Sequence, residues 1–270
     1  MLVESDIMNS KIPFYVVCFN RIDGLKFALE FVNSSSLPLE IVVLDMGSTW
    51  KPFIKYRDSL GVRVESFPKG MGPRDLWVTG VIKKLGDGPF FLSDGDIDYS
   101  GLPHDTASAL KSVSERYPWF PKVGLALKVK DLPKDAEGSR VLEWESDNWK
   151  VRFSDKLYLN GVDTTIAFYP RRESIFYYRP SLRLGGIYTA RHYPWYEREE
   201  NFSEEAKFYY QVAGSAISST QASELPSRKY KVKHSLLISI YWLLRKPLKF
   251  RFFGKFCVHV ISYKGKIKSD

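Results

Sequence analysis

An α/β fold built on a mostly parallel central sheet is what this sequence predicts, and three observations carry the expectation. Apolar runs recur without alternation, as strands buried on both faces require. Helix-compatible stretches separate them, which implies right-handed crossovers between parallel strands. Each run ends on a polar cluster, and in such sheets ligands bind at the carboxyl ends of the strands.

The elements follow in order. Phe14-Tyr15-Val16-Val17-Cys18-Phe19 reads as a buried strand ended by Asn20-Arg21, and Asp23 is a candidate cap for a helix over 24–32. Glu40-Ile41-Val42-Val43-Leu44-Asp45 is the second strand, closed by Met46-Gly47-Ser48-Thr49. A short helix is expected over 52–59, and an alternating third strand over 62–67. The glycine-rich loop Lys69-Gly70-Met71-Gly72-Pro73-Arg74 precedes a helix over 75–85. Pro89-Phe90-Phe91-Leu92 then leads into Ser93-Asp94-Gly95-Asp96-Ile97-Asp98. Beyond Gly101 a helix is expected over 105–116, a strand over 123–129 and a strand with a polar start over 161–169. Residues 131–156 read as irregular, and 191–196 as a compact aromatic loop.

The bulk numbers bound the classes. The chain has 270 residues, 44% of them hydrophobic, enough for one large domain with an appendage. Two cysteines make no disulfide framework and fit a reducing compartment. The first residues, Met1 to Asp6, lack the basic and apolar regions of a signal peptide. No apolar stretch approaches the ~20 residues a membrane-spanning helix needs. The net charge of +9 is concentrated: residues 228–270 hold twelve Lys/Arg and one acid, leaving 28 basic and 30 acidic groups elsewhere.

Carboxylates gathered at the end of a buried strand need a compensating charge. For Asp94-Gly95-Asp96 the bland reading is an Asx-type turn. A calcium loop has the same alternate spacing but requires glycine where Tyr99 stands. The third reading is a divalent metal with positions left for a diphosphate, and the two polar strand ends upstream favour it. Asp45 either bonds a base or ribose hydroxyl, or caps the next helix. Arg74 either reaches a phosphate or base, or is a solvated helix-start arginine.

Phe19-Asn20-Arg21, Leu44-Asp45-Met46-Gly47-Ser48, Gly72-Pro73-Arg74 and Ser93-Asp94-Gly95-Asp96 occur in the order and spacing of another group of proteins. The chain resembles the GT-A fold glycosyltransferases, the family 2-like nucleotide-diphospho-sugar transferases, firmly over about 12–100 and more loosely to about 210. The resemblance implies a catalytic domain over 1–214, with a nucleotide-sugar half at 12–100 and an acceptor half at 101–214. It implies a nucleotide-sugar donor, UDP-linked, with Mn²⁺ or Mg²⁺ bridging Asp96 to the diphosphate. Asn20, Arg21, Asp45, Arg74 and Asp94 would contact the donor. His192 is a further metal-ligand candidate beside Asp94 and Asp96, its alternative being a packed loop residue. An inverting transfer also needs a general base. Asp163 is the first candidate and Glu145, with Asp147, the alternative. Trp144, Trp149, Trp195 and Tyr196 are either a sugar platform or core.

Residues 215–270 read as a linker and a basic tail. The apolar run Leu236 to Leu244, flanked by cations and interleaved with Phe250, Phe252, Phe253 and Phe256, suits an anionic membrane surface. A packed helix and a nucleic-acid patch are the alternatives, and the apolar run exceeds what nucleic acid needs. The expectation is a peripheral enzyme at the cytoplasmic face of the membrane. Its acceptor would be a lipid-linked or cell-surface glycan, such as a polysaccharide or lipopolysaccharide precursor. Rival readings are a retaining transferase, a sugar nucleotidyltransferase and a non-enzymatic adaptor. Asn20-Arg21-Ile22-Asp23 stands where the nucleotidyltransferase would want a basic glycine-rich loop.

Overall fold

The structure is a computed structural model that describes residues 11–162, 165–172 and 181–213. The chain divides into two compact units, residues 1–116 with 120–224, and residues 117–119 with 225–270. Of the second, only 117–119 is described, where the Tyr117 and Trp119 rings meet edge to face at 5.7 Å. The first unit carries the sheet and all that follows here.

Four strands form its parallel half: β1 (Ile12–Cys18), β2 (Leu39–Asp45), β3 (Arg63–Ser66) and β4 (Phe90–Asp94). β1 lies between β2 and β4, with Cys18 beside Asp45 and Val17 beside Asp94. Asp45 and Asp94 therefore end neighbouring parallel strands on the same edge. The remaining strands are β5 (Ile97–Asp98), β6 (Val123–Leu127), β7 (Arg152–Ser154), β8 (Leu157–Asn160), β9 (Ala167–Tyr169) and β10 (Ser181–His192). Their order is β3-β2-β1-β4-β9-β6-β10-β8-β7, with β5 on β10. β9 runs against β4 and β6, β8 runs against β10, and the rest of the main path shares one direction. The expected fold class, a mostly parallel central sheet flanked by helices, is the one present.

Burial explains these strands. Five consecutive residues of β1, Phe14 to Cys18, are buried, so both faces must be covered. On one face Tyr15, Leu44, Leu76, Ile82, Phe90, Leu92 and Tyr169 form a single cluster. On the other, Phe14 packs on Phe31 and Phe91, and Phe31 stacks on Tyr99 at 4.9 Å. Helix α1 (Ile22–Ser34) presents Gly24, Leu25, Ala28 and Phe31 to this layer, the spacing of one helical face.

Several expectations shift. The helix expected over 75–85 is two single turns, α3 (Asp75–Val78) and α4 (Val81–Lys84), after α2 (Lys51–Ser59). They break at Gly80, whose φ of 74° no helix continues. After α5 (Thr106–Arg116), the region read as irregular contains α6 (Ala136–Ser146). The Asp135 side chain caps it by accepting from the Gly138 amide at 2.7 Å. Among the described residues of the strand expected over 161–169, β9 is strand, and the supposed loop at 191–196 begins as the end of β10. The last described helix is α7 (Glu204–Ala213). Among the described residues no helix is long and apolar enough to cross a membrane.

Candidate active site

The aspartate turn is held by close backbone packing. The Gly95 amide donates to the Val17 carbonyl at 2.7 Å, tying the turn to β1. A Cβ on Gly95 would meet that oxygen at 2.7 Å and Cys18 Sγ at 3.2 Å. Gly24, in the first turn of α1, presses on the Gly95 carbonyl from the other side. The glycine between the two aspartates is thus required by packing, and it aims its neighbours outward from the strand edge. Ser93 is buried and shares a short hydrogen bond with the Tyr99 hydroxyl. Asp98 turns away: its Oδ1 accepts from the Ser100 amide at 2.8 Å, and its Oδ2 lies 3.8 Å from the Arg191 guanidinium.

β10 brings a second element to this turn. Its last residues pair with β5, Arg191 opposite Asp98 and His192 opposite Ile97. The Tyr193 amide then donates to the Asp96 carbonyl at 3.1 Å. This places His192 Nε2 3.2 Å from Asp96 Oδ2, while Asp96 Oδ1 is buried with no hydrogen-bond partner among the described residues. Burial pushes the Asp96 carboxyl up, but His192 beside it, with Arg21 behind, brings it below the ordinary carboxylate range. A carboxylate with one orphaned oxygen, beside an imidazole that can serve as a ligand in its neutral form, fits a divalent cation that takes its remaining ligands from phosphate and water. Among the described residues no three His, Cys, Asp or Glu side chains cluster so as to enclose a metal.

Asp45 and Asp94 end the strands on either side of β1, and Asp96 follows in the turn tied to Val17. Cys18 is buried, and its thiol is pushed up by burial first, then by Asp45, Asp96 and Asp94. The expected donor contacts divide on inspection. Asn20 is fully buried with φ at 55°, a conformation Asn tolerates. Its Oδ1 accepts from the Thr49 and Trp50 amides at 2.8 and 2.9 Å, and its own amide donates to Ser48 Oγ at 2.9 Å. Asn20 therefore clamps the loop after β2, and its Nδ2 is buried with no hydrogen-bond partner among the described residues.

Asp45 is 2% exposed, accepts from the Ser48 amide at 2.9 Å and pairs tightly with Arg57 of α2. Asp45 does not cap the helix that follows, whose start has no side-chain cap bond; the Ser48 amide and Arg57 take its two oxygens. Arg21 departs furthest from expectation. It is 2% exposed, and both terminal nitrogens donate to Glu197, at 2.7 and 3.1 Å. Its guanidinium lies 3.9 Å from the Tyr209 ring centre, 5.2 Å from Tyr193 and 5.5 Å from Tyr210. A charge so neutralised and enclosed is not open to a donor. Arg74 is the reverse case: exposed at the start of α3, with no side-chain hydrogen bond or ion pair.

The base candidates also separate. Glu145 is 1% exposed, pairs with Arg183 and accepts from Asn148, so the alternative base is a buried structural ion. Asp147 terminates α6 and pairs with Lys150. Asp163 lies outside the described residues, as does the tail from 214 onward. Trp195 is buried, edge-on to Trp144 and 5.0 Å from His192. Trp149 packs edge-on to Tyr158. Of the four aromatics, Trp195 is buried core and Trp149 is half-buried against Tyr158.

Two residues here had no sequence signal. Glu197 holds Arg21, and Glu205 of α7 accepts from the Ile22 and Asp23 amides at 2.6 and 3.2 Å, capping α1 from across the fold. Asp23, expected as that cap, lies inside the helix. α7 also stacks Phe208 on Trp50 and sets Tyr209 against Phe19, so it lines the same strand edge.

Solved structures similar to the chain include residues 1–349 of S. aureus TarS, at 15% identity over 60% of this chain and 47% of that one, with a TM-score of 0.40. Another is glucosyl-3-phosphoglycerate synthase from Mycobacterium tuberculosis in complex with Mn²⁺, uridine-diphosphate-glucose and glycerol 3-phosphate. There the identity is 16% over 63% of this chain and 60% of that one, with a TM-score of 0.39. The chain spans less than two thirds of the length of either. No family model and no curated protein matches it. The likenesses are weak, and the chemistry of the site rests on its own geometry.

Proposed function

We propose that the chain is a metal-dependent glycosyltransferase that moves a sugar from a UDP-linked donor to a lipid-linked or cell-surface glycan, with inversion at the anomeric carbon. The observation that carries this reading is the Asp96–His192 pair. A carboxylate and an imidazole 3.2 Å apart, with one buried oxygen unanswered, stand at the carboxyl end of a central parallel strand. The ordered motifs that resemble GT-A enzymes support the same reading.

In it, Asp96 and His192 hold Mn²⁺ or Mg²⁺, with Asp94 next to them at the end of β4. The cation, when bound, neutralises charge on the departing diphosphate. The exposed Arg74 faces the donor, while Asn20 Oδ1 keeps the loop after β2 in place. Asp163 takes the proton from the acceptor hydroxyl as its oxygen bonds to the anomeric carbon and the bond to UDP breaks. The basic, aromatic tail holds the enzyme at an anionic membrane surface on the cytoplasmic side, where a lipid-linked acceptor is presented.

The test is metal-dependent turnover of UDP-sugars by the wild-type chain and by Asp94→Asn plus Asp96→Asn. Unchanged turnover in the double variant would sink the reading. Sedimentation with phosphatidylglycerol vesicles, with and without residues 228–270, tests the membrane part separately.

A further inference from the structure

Two rigid pieces meet at the Asp96–His192 pair. Asp96 belongs to the β1–β4 frame, because Gly95 is bonded to Val17. His192 arrives on β10, and the chain then makes a single 3₁₀ turn, Tyr193–Tyr196. Something must fix that turn against the frame, since an imidazole that wanders by an ångström no longer shares a ligand with Asp96. One tie is the Tyr193 amide on the Asp96 carbonyl.

The other tie is Arg21. It follows Asn20 at the end of β1, so it belongs to the frame that holds Asp96. Its fork grips both carboxylate oxygens of Glu197, the residue that closes the 3₁₀ turn by donating its backbone N–H to the Pro194 carbonyl at 3.3 Å. The Tyr210 hydroxyl donates to the same carboxylate at 2.9 Å. Tyr193, the neighbour of His192, has its ring 5.2 Å from the guanidinium. Both ends of the turn that follows His192 are therefore held by one buried side chain.

We infer that Arg21 is a positioning residue for metal binding, its clamp on Glu197 holding the Tyr193–Tyr196 turn so that His192 stays against Asp96. The inference rests on the metal-dependent reading above and adds a role to a residue that touches neither donor nor cation. The plain alternative is a buried ion pair that stabilises the fold and nothing more.

Mn²⁺ titrations of the full chain, followed by electron paramagnetic resonance in the presence of UDP, distinguish the two. Arg21→Lys keeps the charge but loses the fork, and Glu197→Gln weakens the clamp from the other side. In the wild-type background each is expected to raise the Mn²⁺ Kd by about tenfold. In a His192→Ala background, where nothing remains to be positioned, each should change it by less than about twofold. Equal losses in both backgrounds, or no loss in either, would overturn the inference while leaving the transferase reading intact. Absence of Mn²⁺ binding by the wild-type chain would overturn the reading itself, and the inference with it. If Arg21→Lys fails to fold, the Glu197→Gln cycle carries the same test.

Discussion

A Cβ added to Gly24 would lie 1.7 Å from the carbonyl oxygen of Gly95. The first turn of α1 and the aspartate turn are thus in direct backbone contact, and two glycines are what let them meet. Gly24→Ala would gain about 1 kcal/mol in helix propensity at most. The clash with a backbone atom is larger, because neither the helix start nor the turn can yield without moving β1. The expected outcome is a net loss of about 2–4 kcal/mol in urea unfolding. Weaker Mn²⁺ binding should accompany it, since Asp96 moves with Gly95. An unchanged unfolding midpoint would show that the contact is looser than it stands.

Glu205 predicts a pH dependence. Burial, opposed by the Ile22 amide and by Arg21 and joined by Asp23, pushes its carboxyl from an ordinary 4.5 up to about 7. The folded chain then holds this proton more tightly than the unfolded one. The stabilisation is complete below about pH 4.5 and is lost as the pH rises through about 7. Relative to Glu205→Gln, the wild-type chain should lose up to about 3 kcal/mol over that window. Urea titrations of both proteins at about pH 4.5, 6 and 8 measure it, and a constant difference at all three would refute it.

The parts of the molecule legible in the sequence are those whose signal is local. β1, β2 and β4 are continuous apolar runs, and the turn after β4 advertises itself by three carboxylates. β10 was hidden. Its sequence, with Gly185-Gly186 and two arginines, has loop composition, and it is a strand because β6, β8 and β5 pair with it. α6 lies in a stretch dense with charge, whose composition alone reads as irregular, and the Asp135 cap starts it. Asn20 and Asp45 both follow apolar runs as polar residues at the same sheet edge. Their hydrogen bonds turned out to serve loops first, a distinction that depends on where Ser48, Thr49 and Arg57 fold. Arg21 and Glu197 are 176 residues apart, and nothing in either neighbourhood announces the other.

Arg74 separates binding from stability. Its side chain is exposed and makes no hydrogen bond or ion pair with the described residues, so Arg74→Ala should change unfolding by no more than about 0.5 kcal/mol. A charge-assisted bond to a phosphate or base would be worth about 1.5 kcal/mol or more. The expected result is a rise of about tenfold in the UDP Kd, read by isothermal titration in the presence of Mn²⁺. Unaltered affinity would return Arg74 to the role of a solvated helix-start residue.

Glu145 and Asp163, the two base candidates, should fail in different ways. Glu145 is buried against Arg183, and neutralising it strands that arginine without a counter-charge. Glu145→Gln is therefore expected to cost about 3–5 kcal/mol in unfolding, with any loss of activity following the loss of folded protein. A general base contributes to the chemical step and not to the fold. Asp163→Asn, which removes the proposed base, should lower kcat by about 10²- to 10⁴-fold. The KM for the donor should hold, because the base meets only the acceptor hydroxyl. If Asp163→Asn keeps full kcat, the proton goes elsewhere. If Glu145→Gln is as stable as wild type, the Arg183 pair does not carry the load that its burial implies.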